Sequence, residues 1–225
     1  MSSIEDCGVY NEFSYYFVNG KCILGDNSTS AFISGKTCPK TIIIPPKVND
    51  NPVLEIGCNA IYNLVNLREL IILARITQIN SRGIYSCPNL EKVNVPNTCL
   101  YIFYSGIHMW NHTLGNHVPN PGTTNVTFEP NTQIAYISYH GIVYRENINI
   151  FFCNKVNLTT NGDPFQFSNT KLYSPYSYRL TSSYYVNSIQ NLPSICNVPQ
   201  ISLYCKKNNH KIVFKILFIL ISETF

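Results

Sequence analysis

Two stretches of this chain repeat one apolar pattern at a fixed offset. Ile56, Ala60, Ile61, Leu64, Leu67, Leu70 and Ile72 are matched by Ile79, Gly83, Ile84, Cys87, Leu90, Val93 and Val95, each 23 positions further on. A constant period of this length is the signature of a stacked solenoid. One such unit cannot bury its apolar face alone, so neighbouring copies must stack and share a continuous core. Solenoids of this kind present extended binding surfaces.

Each unit has two halves. Leu67-x-x-Leu70-x-Ile72 and Leu90-x-x-Val93-x-Val95 end in the period-2 alternation of a short strand with one face buried. Before them, Ile56–Leu64 and Ile79–Cys87 carry an apolar residue every three or four positions, which predicts short α-helical or 3₁₀ turns. Ala60 and Gly83 are small where adjacent coils would come close. Weaker copies flank this pair. Ile42 and Ile44 read as an earlier strand 28 residues before Leu70 and Ile72, and Val126 and Phe128 as a later one 33 after Val93 and Val95. Ile137–Ile142 repeats the Ile79–Ile84 pattern, and Ile148-x-Ile150 follows as a further strand. Two well-matched coils stand among these strands, and the extra residues of the third coil assign 99–124 to an insertion.

The pattern Ile-Gly-x-x-Ala-φ-x-x-φ-x-x-Leu-x-x-φ-x-φ, where φ is apolar, resembles the BspA-like leucine-rich repeats of surface proteins. The resemblance covers residues 41–152 and is strongest in 54–98. It departs from that pattern at Ile61, Ile84 and Ile142, where a Phe is usual, and at Leu64, where a Cys is usual. The resemblance implies an α/β fold: a right-handed leucine-rich-repeat solenoid with parallel strands on the concave face and short helical turns on the convex face. It also implies a non-enzymatic recognition role at the cell surface or outside the cell, with a protein or glycoprotein partner. An intracellular interaction scaffold is the alternative. Met1–Asp6 lacks the basic start and apolar stretch of a secretory leader, which supports this alternative and, with it, a cytoplasmic location.

Along the chain, residues 1–40 read as a cap. Tyr10–Val18 and Lys21–Leu24 flank Asn19-Gly20, the strongest short hairpin signal. Residues 41–152 form the solenoid, 153–205 irregular coils or a cap, and 206–225 an apolar tail. Within that tail Ile212–Ile221 is strongly apolar but shorter than the ~20 residues of a spanning helix, so membrane association through 212–221 has weak support. Lys171–Tyr178 resembles segments that close such arrays, and Tyr173, Tyr176, Tyr178, Tyr184 and Tyr185 form a cluster that reads as a cap or a contact surface.

Composition narrows the function classes. Charged residues make up only 12% of the chain and the net charge is +4, with basic residues scattered, so there is no nucleic-acid footprint. The 16 Tyr and 12 Phe fit an adhesive surface, and an AT-rich coding sequence fits them equally. Nine cysteines, an odd number without CxxC pairs, argue against a zinc ribbon or a simple disulfide framework, while Cys7, Cys22 and Cys38 offer one cap disulfide. The 28 Asn make about four N-x-S/T sequons expected by chance, so Asn27, Asn111, Asn125 and Asn157 carry no message about secretion.

Catalytic constellations are weak. His108-x₃-His112 and His117, with Cys99 upstream, hint at a metal-dependent hydrolase. However, no Glu follows His108, and Gly106, Gly115 and Pro119 oppose a helix that would align the pair. There is no Gly-x-Ser-x-Gly elbow and no phosphate loop. No enzyme activity, cofactor or metal is expected. The expected binding residues come instead from strand alternation. Ile43, Ile71, Asn94, Thr127 and Asn149 each lie between two inward residues and are read as one outward row, flanked by Glu69 and Lys92.

Overall fold

Three antiparallel strands begin the fold: β1 (Glu5–Tyr10), β2 (Phe13–Val18) and β3 (Lys21–Leu24). Asn19 and Gly20 join β2 to β3 with φ of 52° and 75°, the left-handed pair that a two-residue hairpin turn requires. The computed structural model describes residues 5–33, 37–111, 118–179, 185–188 and 196. Within them the chain continues as a parallel β-solenoid of about five turns.

The first coil contains β4 (Thr41–Ile44), β5 (Lys47–Val48), β6 (Asn51–Ile56) and β7 (Ile61–Tyr62). The second contains β8 (Glu69–Ile72), β9 (Gln78–Ile79) and β10 (Ile84–Tyr85). The third contains β11 (Lys92–Val95), β12 (Tyr101–Ile102) and β13 (Ile107–His108). The fourth contains β14 (Asn120–Phe128), β15 (Tyr136–Ile137) and β16 (Ile142–Val143). Then follow β17 (Arg145–Phe152), β18 (Thr159–Thr160), β19 (Asn169–Ser174), β20 (Tyr178–Arg179) and β21 (Tyr185–Ser188).

Each coil contributes one strand to each of three sheets. The long sheet runs β20-β21-β19-β17-β14-β11-β8-β4. A second sheet runs β1-β2-β3-β6-β9-β12-β15-β18, and a third β16-β13-β10-β7. The expected strand offsets appear as backbone registers: Ile44 faces Ile72, Leu70 faces Val93 and Val95 faces Phe128, all parallel. Ile56, Leu67, Leu70, Ile72, Ile79, Leu90, Val93 and Val95 are all buried, each contributing ~1.5–3 kcal/mol of apolar burial. Gly83 is small for the reason anticipated. An added Cβ would lie 2.9 Å from Ile79 Cγ2 and 3.2 Å from Ile56 Cγ2 of the preceding coil.

Three expectations need correction. First, the segments 56–64 and 79–87 are not helical. Asn59, Asn63, Arg82 and Ser86 have φ near +55° (55°, 56°, 57° and 58°), which breaks any helical run. Their N–H groups bond the next coil rather than residue i−4: Asn59 donates to the Arg82 carbonyl (3.1 Å), Ile61 to Gly83 (2.9 Å) and Asn63 to Tyr85 (3.0 Å). A sharply cornered coil places every third or fourth residue inward just as a helix does, so the apolar spacing is the same for both.

Second, residues 99–124 are not one insertion. Ile102 pairs in register with Ile79 and Ile137, and Ile107 with Ile84 and Ile142. Ile102-Phe-Tyr-Ser-Gly106-Ile107 is thus a further copy of the coil, and the additional residues begin after His108. They are tied back by buried side chains. The Thr124 hydroxyl donates to the Leu90 carbonyl, Asn120 Nδ2 to the Met109 carbonyl and the Arg145 guanidinium to the Pro88 carbonyl. Third, 153–179 is not wholly irregular, because β18 and β19 extend the second and long sheets.

The entry strands cover the edge of the second sheet, since β3 pairs parallel with β6. A Cys7–Cys22 disulfide crosslinks β1 to β3. The Glu55 carboxylate, almost fully buried, locks cap to coil: it accepts from Lys21 (2.8 Å), Gln78 (2.9 Å) and Asn80 (3.3 Å). A second disulfide joins Cys153 to Cys196. Cys87 and Cys99 stay free and fully buried, and burial pushes both thiols up to about 12. The folded chain therefore keeps these protons at pH values above about 8.5, where unfolded thiols ionise. Stability is expected to fall as pH rises from about 8.5 toward 12. A thiol reagent at pH 8 should leave both residues unmodified until denaturant is added, and mass mapping of the labelled sites would show otherwise.

Candidate functional site

Strand alternation turns every second side chain of the long sheet outward. Register then sorts these side chains into rows. One row reads Ile43, Ile71, Asn94, Thr127, Phe151, Tyr173 and Asn187. The next reads Thr41, Glu69, Lys92, Asn125, Asn149 and Lys171. Ile43, Ile71, Asn94 and Thr127 therefore share a row as expected, and Glu69 and Lys92 flank it on adjacent strands.

Asn149 belongs to the flanking row. It faces Asn125, to which its Nδ2 donates at 2.9 Å. The rung beyond Thr127 is Phe151 instead. Alternation placed Asn149 on the correct face but could not place it on the correct rung, because Ile148, Ile150 and Phe152 all point inward and any adjacent pair of them satisfies the pattern.

Sequence reading therefore missed an aromatic end to this face. The Phe151 and Tyr173 rings stack at 5.3 Å with planes 20° apart. The row passes from aliphatic (Ile43, Ile71) through polar (Asn94, Thr127) to aromatic (Phe151, Tyr173), half-buried except for Thr127, which its neighbours cover, and closes on the exposed Asn187. Beside Ile43, a groove of about 640 Å³ separates β4 from the hairpin residues Asn11, Glu12 and Phe13. Of the Tyr cluster, Tyr173 joins the row and Tyr176 is 60% exposed, whereas Tyr184 lies outside the described residues.

A second concave feature lies where the second sheet turns into the third. Arg82, Tyr85, Tyr104, Ser105, His108, Trp110, His140 and Tyr144 line a cleft of about 200 Å³. Within the cleft His108 is surrounded by rings. Its ring stacks on Tyr85 at 4.3 Å and contacts Tyr144 at 4.5 Å. His112 and His117 lie outside the described residues, and among the described residues no three His, Cys, Asp or Glu side chains are grouped to hold a metal ion. The sequence signal for this cleft was the aromatic residue after the second inward Ile of each coil: Tyr62, Tyr85 and His108, which face one another across the third sheet.

No protein family matches the chain, and no curated protein does. A solved structure of the pneumococcal vaccine antigen PcpA is similar. It superposes with a TM-score of 0.43 at 16% identity, over 76% of this chain and 49% of that one. This chain thus spans about half the length of that protein. Among the described residues no helix is long and apolar enough to cross a membrane, and the tail 206–225 lies outside them.

Proposed function

We propose that this chain is a non-enzymatic recognition protein that captures a protein or glycoprotein partner on the outward face of its long sheet. The observation that carries the reading is the continuous row from Ile43 to Tyr173, with apolar ends and a hydrogen-bonding middle. Extended solenoid faces of this type serve recognition, and interfaces combine apolar or aromatic anchors with polar groups around them. The finer reading is a BspA-like leucine-rich-repeat protein that acts in adhesion at the cell surface. The Cys7–Cys22 and Cys153–Cys196 bonds support an oxidising, exported location.

The test is a double variant, Ile71→Asp with Asn94→Asp, in a cell-adhesion or pull-down assay. Buried anchors contribute about 2 kcal/mol or more, so capture should be lost while circular dichroism stays unchanged. Full capture by the folded variant would remove the face from consideration. Surface labelling of intact against permeabilised cells tests the location. Elemental analysis of purified protein is expected to find no stoichiometric zinc. Zinc that is present and then lost in a His108→Ala/His112→Ala variant would overturn the non-metal reading.

A further inference from the structure

The cleft at the corner between the second and third sheets has a traceable origin. Asn59, Arg82, Ser105 and His140 occupy one equivalent turn position in four successive coils, with φ of 55°, 57°, 52° and 55°. Each is followed by a small residue: Ala60, Gly83, Gly106 or Gly141. Backbone bonds connect the coils, from Asn59 N–H to the Arg82 carbonyl at 3.1 Å and from Arg82 N–H to the Tyr104 carbonyl at 3.0 Å. In this row Ser105 is the smallest side chain, and it stands between Arg82 and His140. Its small size opens the cleft between them.

Two of the lining residues are not ones the backbone would select. The left-handed region suits Asn, and the first coil uses Asn59 and Asn63 at its two such turns. Arg82 replaces Asn59 two coils before His140. Tyr144, with φ of 67°, stands where the first coil has Asn63. Side chains of this size held in the left-handed region cost free energy and tend to gather at functional sites. Here both line the same cleft.

The chemistry of the lining narrows the ligand. The Arg82 guanidinium carbon lies 5.4 Å over the Tyr85 ring, a contact that holds the cation in place without neutralising it. Among the described residues it has no carboxylate partner, and no Asp or Glu lines the cleft. An anion is therefore favoured and a cationic ligand opposed. Tyr104 and Trp110 supply ring surface with polar tips, whereas the Tyr85 ring is already stacked on His108 at 4.3 Å and on Tyr62 at 5.9 Å. Trp110 stands edge-on to His108 at 6.2 Å, and the Ser86 hydroxyl donates to its carbonyl at 3.2 Å. The cleft volume of about 200 Å³ is below the ~300 Å³ at which drug-sized sites begin, so it suits a single ring.

We propose that this cleft binds one carboxylate-bearing sugar ring, free or at the end of a glycan, with Arg82 on the carboxylate and the aromatic side chains against the C–H face. Arg suits this role because its fork matches a carboxylate bidentately. The proposal concerns a different surface from the long-sheet face and stands or falls separately.

Isothermal titration with glucuronate and N-acetylneuraminate is the test, with methyl glucoside and tetramethylammonium as neutral and cationic controls. At least one acidic sugar is expected to bind at least tenfold more tightly than either control. Arg82→Asn should remove that preference, and Ser105→Asn should fill the cleft and weaken binding at least tenfold. Both variants should fold as the parent does, because Asn is the residue that the same turn carries at Asn59. The Ile71→Asp/Asn94→Asp variant should bind the sugar unchanged. Attaching the same sugar to a protein-linked glycan distinguishes a glycan end from a free acid by which binds more tightly. Absence of binding by both acidic sugars, equal binding of methyl glucoside, or unaltered binding by folded Arg82→Asn would overturn the proposal.

Discussion

Replacing Phe128 by Ala is expected to destabilise the protein by about 3–5 kcal/mol, the range for emptying a large buried aromatic site. Phe128 is 0% exposed. Its ring stacks on Phe152 at 5.1 Å with planes 24° apart, and its strand is paired with Val95 on one side and Phe152 on the other. The side chains that surround the vacated site then lose contacts on one side. A solenoid is held together by nearest-neighbour interfaces. The loss should therefore first appear as faster amide exchange in β14 and β17, with β4 and β8 still protected. Denaturant unfolding gives the magnitude, and a cost below about 1 kcal/mol would show that the coils collapse to fill the space.

Removing the entry disulfide with Cys7→Ser and Cys22→Ser is expected to cost about 3 kcal/mol in the chain-entropy account of a loop this long. The bond closes a separation of 15 residues. Both cysteines are almost completely buried, so two hydroxyls would also enter an apolar site, which adds to the loss. The consequence is structural as well as energetic. β1, β2 and β3 close one edge of the second sheet, and an uncovered edge is open to pairing with other chains. Lower stability together with concentration-dependent association is expected for the variant, and for the parent under reducing conditions. Peptide mapping without reduction verifies the bond, and equal midpoints with and without reductant would exclude its role as the staple of the cap.

The two core pairs show how far a repeat pattern reaches. Leu70 with Val93 and Val95 with Phe128 were legible because an inward residue must meet its equivalent in the next coil. The hairpin was legible because Asn19-Gly20 satisfies a left-handed turn that other residues resist. Ile102–Ile107 was also legible in principle, at the same 23-residue offset from Ile79–Ile84. It was passed over because the offset of 33 between Val95 and Phe128 pointed to one long insertion, whereas the additional residues all follow His108. Among the expected binding residues, Ile43, Glu69, Ile71, Lys92, Asn94 and Thr127 fell on the expected face and rungs, and Asn149 on the face alone.

What the sequence determined by itself was which side chains enter the core, since apolar periodicity records that directly and burial dominates the energetics. It also determined that the copies stack in parallel with equivalent inward residues in register. The tertiary structure alone decided where the backbone hydrogen bonds go. At Asn59 and Arg82 the chain turns left-handed, and the N–H groups of these corners reach the adjacent coil rather than back along their own. The result is a third sheet in place of helical turns. It also decided which outward residues meet, because alternation repeats every two residues and cannot distinguish one rung from the next. Arg82, Ser105, His108, His140 and Tyr144 are brought to one cleft by the stacking of three coils. No window of sequence contains them together, so their common site arises only when the coils are in register.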